Sequence, residues 1–204
     1  MKVIVKICGI RRPEDASRAV ELGASYVGCV YAPDSPRCTT VEEIQAVRRA
    51  VGDRAELVLV LRGISVEVAQ RISAHTGVRR VQAHGVDSKW IDGAEDSGLV
   101  LHRVHALDRG VLELPSLLPR ALPETPALLD VGRGGSGRSF NWGLLEDGAP
   151  TNTLIAGGIR PDNVRRLLAY QPFGIDVSSG IEKAPGEKDH AAMERLFAAV
   201  EEVQ

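Results

Sequence analysis

Two residues able to move protons stand at the ends of apolar runs, each followed by glycine-rich chain. Cys8 ends the run VIVKIC and precedes Gly9, while Asp130 follows Ala127, Leu128 and Leu129 within LLDVGRGGSGRSFNW, residues 128–142. A carboxyl is ordinarily an acid of pKa about 3.9 and a thiol one of about 8.5, so a general acid and a general base are both within reach if the surroundings shift them. Gly134, Gly135, Ser136 and Gly137 carry almost no side chain, which lets several N–H groups turn toward one anion. By itself such a cluster is more often a flexible turn. Further polar and glycine signals follow other apolar runs: Arg37 after YAPDSP, His84 before Gly85, Gly157 with Gly158, and Asp176 ahead of Ser178, Ser179 and Gly180.

The runs that carry these residues recur along the chain. Strand-like stretches are predicted at 3–7, 26–31, 57–61, 80–84, 100–104, 127–129, 153–155 and 174–177. They are nearly continuous in Val, Ile and Leu, the pattern of strands buried on both faces of a parallel sheet. Helical patterns with defined ends lie between most of them. Pro13 opens one that Gly23 closes, Thr40 with Glu43 makes a capping box, Ser65 starts a third, and Asp189 caps the last. Residues 108–123 hold Pro115 and Pro119, which argues against a full helix there. Eight strand–helix units in 204 residues predict an α/β fold, a small single-domain (β/α)8 TIM barrel over residues 1–204 with a degenerate helix after strand five. An open doubly wound sheet is the alternative. The barrel is preferred because the polar signals follow nearly every run, whereas an open sheet gathers its site at one switch point.

Composition narrows the partners. The chain is 44% apolar and 25% charged with a formal net charge of −2, an ordinary globular make-up without the basic excess that nucleic acid or anionic membranes require. A small molecule is the expected partner, with neither nucleic acid nor membrane, and the protein is expected to be a monomer or homodimer. Cys8, Cys29 and Cys38 form no CxxC pair or zinc spacing, and their odd number argues against a disulfide framework, so a reducing cytoplasm is expected. The first apolar run is too short for a signal peptide.

Taken together, VKICGIRRPEDA, YAPDSPR, VQAHG, LLD followed by GGSGRSFNW, IAGGIRPDNV and GIDVSSGIEKAPGEKD span nearly the whole chain. In that order they resemble the phosphoribosylanthranilate isomerases of tryptophan biosynthesis. The resemblance implies an Amadori rearrangement of N-(5′-phosphoribosyl)anthranilate to 1-(o-carboxyphenylamino)-1-deoxyribulose 5-phosphate, with no cofactor and no metal. It implies Asp130 as general acid and Cys8 as general base. It also implies Arg37 on the substrate carboxylate, with His84 and Asp176 as further substrate contacts. The phosphate would lie against backbone N–H groups of Gly135, Ser136, Gly137, Gly157, Gly158, Ser179 and Gly180. Other readings are a related phosphoribosyl aminoaldose isomerase with altered aryl specificity, and a non-catalytic phosphate-binding barrel. Two departures bear on the aryl side of the pocket: Leu61-Arg62-Gly63 at the third strand end, and Ala83 before the His-Gly pair.

Overall fold

The computed structural model describes residues 2–107, 114, 124–131 and 139–203. Nine parallel strands make up one sheet: β1 (Ile4–Cys8), β2 (Tyr26–Tyr31), β3 (Glu56–Arg62), β4 (Arg80–His84), β5 (Val100–His102), β6 (Val104–Leu107), β7 (Ala127–Val131), β8 (Thr153–Ala156) and β9 (Gly174–Val177). The order across the sheet is β5-β4-β3-β2-β1-β9-β8-β7-β6. Its two terminal strands, β5 and β6, are separated only by Arg103, so a single stretch of chain pairs with β4 on one side and β7 on the other. The sheet therefore closes as an eight-stranded barrel whose fifth stave is broken in the middle. The stave predicted at 100–104 is thus longer than expected and runs to Leu107.

The helices on the outside are α1 (Pro13–Glu21), α2 (Val41–Val51), α3 (Val66–Thr76), α4 (Ser88–Asp96), α5 (Val164–Leu168) and α6 (His190–Glu201). Thr40 and Glu43 close a reciprocal capping box on α2, while Ser65, Asp87 and Asp189 accept from the third N–H of α3, α4 and α6. Helix α4 forms despite Gly93 in its interior, with Asp87 as its N-cap. Among the described residues between β7 and β8, Trp142–Leu145 form a 3-10 turn. The expected degenerate helix after strand five falls on residues 108–123, almost all outside the described residues. Among those residues, no helix is long and apolar enough to cross a membrane.

Strand periodicity sorts the two faces of the barrel wall. Val5, Ile7, Val27, Leu59, Val81, Leu129, Ile155, Ile175 and Val177 point outward and bury against the helices in one large apolar cluster. Leu128, Leu154 and Ala156 form a second, smaller cluster with Ile4, Val104 and Phe173 on the inner side. Higher in the barrel the inward positions turn polar: Lys6, Cys8, Gln82, His84, Asp130 and Asp176. Ala83 belongs to the outward set, packed in the helix-facing cluster. It does not touch the cavity, which corrects the expectation that it reshapes the aryl side of the pocket.

Candidate active site

The C-terminal ends of the strands surround a cavity of about 230 Å³. Cys8 from β1, Arg37 from the loop after β2, His84 from β4, Asp130 from β7 and Asp176 from β9 all line it. Gly157, Gly158, Ser179 and Gly180 line it as well. The structure thus brings these nine sequence-predicted residues to one mouth. Gly135, Ser136 and Gly137 lie outside the described residues.

Asp130 is 7% exposed, and its Oδ1 accepts the backbone N–H of Val131 at 2.7 Å. Burial pushes its pKa up to about 6, with the nearby Asp176 carboxylate adding to the rise and the Val131 bond and Lys6 opposing it. About a tenth of this group is therefore still protonated at pH 7. Cys8 is 8% exposed, and burial raises its thiol above the ordinary value. The ammonium groups of Lys6 and Lys188 act in the other direction.

Lys6 is a residue that sequence reasoning passed over. It is 1% exposed, and its Nζ donates to Asp176 Oδ2 at 2.7 Å and to Gln82 Oε1 at 2.8 Å. Position i and i+2 on β1 place Lys6 and Cys8 on the same inward face. Burial disfavours the ammonium, yet Asp176 and Cys8 outweigh it and hold Lys6 charged. The signal was present: one lysine interrupts an otherwise apolar strand whose neighbours are all buried. Asp176 has its other oxygen, Oδ1, buried without a partner, in a cavity-lining side chain. A buried acceptor left open in this way suits a hydroxyl donor on a ligand.

The lysine also settles the state of His84. Because Gln82 Oε1 accepts from Lys6, its Nε2 amide is the donor in the 2.9 Å contact with His84 Nε2. His84 then carries its proton on Nδ1. Burial, Lys6 and Arg62 lower its pKa to about 4, so the ring is neutral at physiological pH.

Gly157 and Gly158 adopt φ of 94° and 63°, a region that disfavours side chains. A Cβ on Gly180 would lie 1.9 Å from the Ile159 carbonyl oxygen, so the loops after β8 and β9 touch backbone to backbone. Ser179 and Gly180 lie in the three-residue 3-10 turn Ser179–Ile181. The turn offers individual N–H groups rather than a helix dipole. Inorganic phosphate at a hundredfold excess over Kd is expected to stabilise the wild type by about 2.7 kcal/mol and so to raise its melting temperature, and Gly158→Asp is expected to abolish that rise. Thermal scans with and without phosphate check it.

Arg37 is held rather than free. Its Nε donates to Glu182 at 2.9 and 3.1 Å and its Nη2 at 2.7 Å. Arg62, at the end of β3, also lines the cavity and pairs with the exposed Asp34 at 2.9 Å. Among the described residues, no group of His, Cys, Asp and Glu is arranged to hold a metal.

Fold and cavity together define a (β/α)8 barrel whose mouth, at the C-terminal ends of the strands, is lined by a carboxyl group and a thiol. A family model for N-(5′-phosphoribosyl)anthranilate isomerase matches residues 5–199, and the chain belongs to that family. The isomerase of Magnetococcus marinus is 36% identical, aligned over 100% of this chain and 98% of its own length. The crystal structure of the phosphoribosyl anthranilate isomerase from Thermus thermophilus superposes with a TM-score of 0.82 at 32% identity, covering 99% of this chain and 100% of that one. Another structure of such an isomerase, in complex with reduced 1-(o-carboxyphenylamino)-1-deoxyribulose 5-phosphate, is 26% identical with a TM-score of 0.75, over 98% of this chain and 99% of that one.

Proposed function

We propose that Asp130 and Cys8 carry out, as acid and base, the aldose–ketose isomerisation of N-(5′-phosphoribosyl)anthranilate that the family performs in tryptophan biosynthesis, within one barrel domain formed by residues 1–204. The observation that carries this reading is the pairing, in one mouth, of a carboxyl raised to about 6 with a thiol beside a buried ammonium. Asp130 donates its proton to the furanose ring oxygen as the C1′–O bond breaks, giving an iminium. The Cys8 thiolate then takes the C2′ proton, and the electron pair moves toward the iminium nitrogen. Tautomerisation of the resulting enolamine leaves a ketone at C2′. C1′ is reduced and C2′ oxidised within one molecule, so the rearrangement balances without an external redox partner.

The charge arrangement suits the order of events. The cationic iminium forms next to Cys8 and adds to Lys6 in favouring the thiolate when a base is needed. Arg37 offers the edge that Glu182 leaves open to the ring carboxylate, the unpaired Asp176 Oδ1 accepts from a sugar hydroxyl, and His84 donates through Nδ1. The phosphate rests on the N–H groups of Gly157, Gly158, Ser179 and Gly180 and of Gly135, Ser136 and Gly137. Arg37→Ala is expected to weaken a substrate bearing the ortho carboxylate by about 1.5 to 3 kcal/mol, the range for a hydrogen bond to a charged group, and to leave its decarboxylated counterpart nearly unaffected. Parallel KM measurements on the two compounds check this.

The pH profile follows from the signs. The active form needs Asp130 protonated and Cys8 ionised, although the acid has the lower pKa of the two. Such a reversed pair gives a plateau in kcat/KM between the two pKa values, with the active form a minor species throughout. Below about 6 kcat/KM falls, because Asp130 is already protonated and further acid removes only thiolate. On the alkaline side it falls once Cys8 is fully ionised, above the ordinary thiol range. A kcat/KM profile in wide-range buffer reads both limbs. The reading as a whole is tested by mixing the chain with freshly generated phosphoribosylanthranilate and following its fluorescence. Rapid enzyme-dependent loss supports the assignment, and loss at the spontaneous rate would overturn it.

A further inference from the structure

Glu182 begins the hairpin of β10 (Glu182–Ala184) and β11 (Glu187–Lys188), immediately beyond the 3-10 turn at Ser179–Ile181. Its side chain is only 5% exposed and accepts four donors: Arg37 Nε, Arg37 Nη2, Lys188 Nζ at 2.8 Å, and the backbone N–H of Gly186 at 3.2 Å. Lys188 is itself fully buried, and its Nζ also donates to the Ser178 carbonyl oxygen at 3.2 Å. One carboxylate thus joins the arginine of the β2 loop to the backbone of the anion-binding loop after β9.

We propose that Glu182 is a positioning residue that sets the plane and reach of the Arg37 guanidinium, and thereby selects an ortho-placed carboxylate on the aryl ring of the substrate. The inference rests on the reading in which Arg37 receives that carboxylate. A guanidinium has five N–H donors in a rigid fork. Glu182 takes the Nε–H and one Nη2–H, which leaves both Nη1 donors and the second Nη2 donor. That remaining edge is flat and matches a second carboxylate with two parallel bonds.

The stem of Arg37 is fixed as well. A Cβ on Gly9 would stand 2.8 Å from Arg37 Cδ and 2.9 Å from Ser178 Oγ. Arg37 therefore crosses directly over the residue next to Cys8, and a side chain at Gly9 would lift it. With stem and fork both held, the open edge has one orientation relative to the thiol.

Charge favours the same conclusion. Arg37 and Glu182 alone would cancel and present no net attraction to an incoming anion. Lys188 makes the buried trio +1, the complement of one carboxylate. Burial lowers the Lys188 pKa while Glu182 opposes this, and Glu182 itself is held below its ordinary value by Arg37 and Lys188 despite its burial. Arg62 is placed differently, since its partner Asp34 is 70% exposed and screened by water.

The test is positional discrimination. Ribose 5-phosphate is condensed with 2-aminobenzoate or with 3-aminobenzoate, and kcat/KM is measured for both adducts. Wild type is expected to favour the ortho adduct. In Glu182→Gln the ortho-to-meta ratio should fall about tenfold or more, whatever happens to overall affinity, because the amide presents a donor where Nη2 needs an acceptor. Arg37→Lys leaves Glu182 and Lys188 in place but replaces the fork with a point charge, and it should lose the ratio as well. This second variant keeps the test open if Glu182→Gln does not fold. An unchanged ratio in either folded variant overturns the proposal. A wild type that turns over neither adduct instead overturns the assignment of the reaction.

Discussion

Cys8→Ala and Asp130→Asn are each expected to lower kcat by about 10²-fold or more while leaving the affinity for a product analogue within a few fold. The loss is large because each residue is the only described cavity-lining group suited to its step. His84, with its pKa near 4 and a proton fixed on Nδ1 by Gln82, is a poor acid and faces the wrong way to be a base. Asp176 is committed to Lys6 through Oδ2. The binding contacts of Arg37 and the glycine loops survive both substitutions, which is why affinity should hold. Steady-state kinetics with a parallel titration of the product analogue separates the two quantities. Near wild-type kcat in either variant removes that residue from its role.

The second large effect is expected from Lys6→Met. The substitution conserves length but leaves Asp176 as a buried carboxylate without its cation, and breaking one side of a buried pair typically costs about 3–5 kcal/mol. Urea denaturation should show that loss as a lower midpoint at an unchanged slope. Turnover should fall too. The ammonium lowers the Cys8 pKa, so removing it raises the thiol further and shrinks the thiolate fraction at any pH below it. The alkaline limb of the profile should move to higher pH in the variant, whereas a purely structural lysine would leave that limb in place.

How far the sequence could be read depended on which signals are local. Strand runs, caps and glycine ends are local, and Thr40, Ser65 and Asp189 sit where their spacing placed them. Strand ends carrying Cys8, His84, Asp130 and Asp176 were legible for the same reason, since parallel strands bring all their C-terminal ends to one side. What sequence could not show is set by contacts between distant segments. Lys6 meets residues 76 and 170 positions away, and Glu182 meets Arg37 across 145. The inward or outward sense of Ala83 likewise depends on the register of β3 and β4, where Leu61 stands opposite Ala83 and Arg62 opposite His84. The break at Arg103 follows from closure of the barrel, which no single run encodes. Apolar continuity also hid the inner face, because the lysine and glutamine of VKIC and VQAH are satisfied by each other and by Asp176 and His84 from the inner wall.

The assignment of proton donor and proton acceptor to different residues is tested most directly by isotope effects on a substrate carrying deuterium at C2′. If Asp130 opens the ring, slowing it with Asp130→Asn makes ring opening limit kcat/KM, and the C2′ isotope effect should shrink toward one. If Cys8 removes the C2′ proton, slowing that step with Cys8→Ser should raise the effect to its full primary value. Opposite responses in the two variants are the predicted result. Equal isotope effects in both, or a large effect in Asp130→Asn with none in Cys8→Ser, would contradict the account.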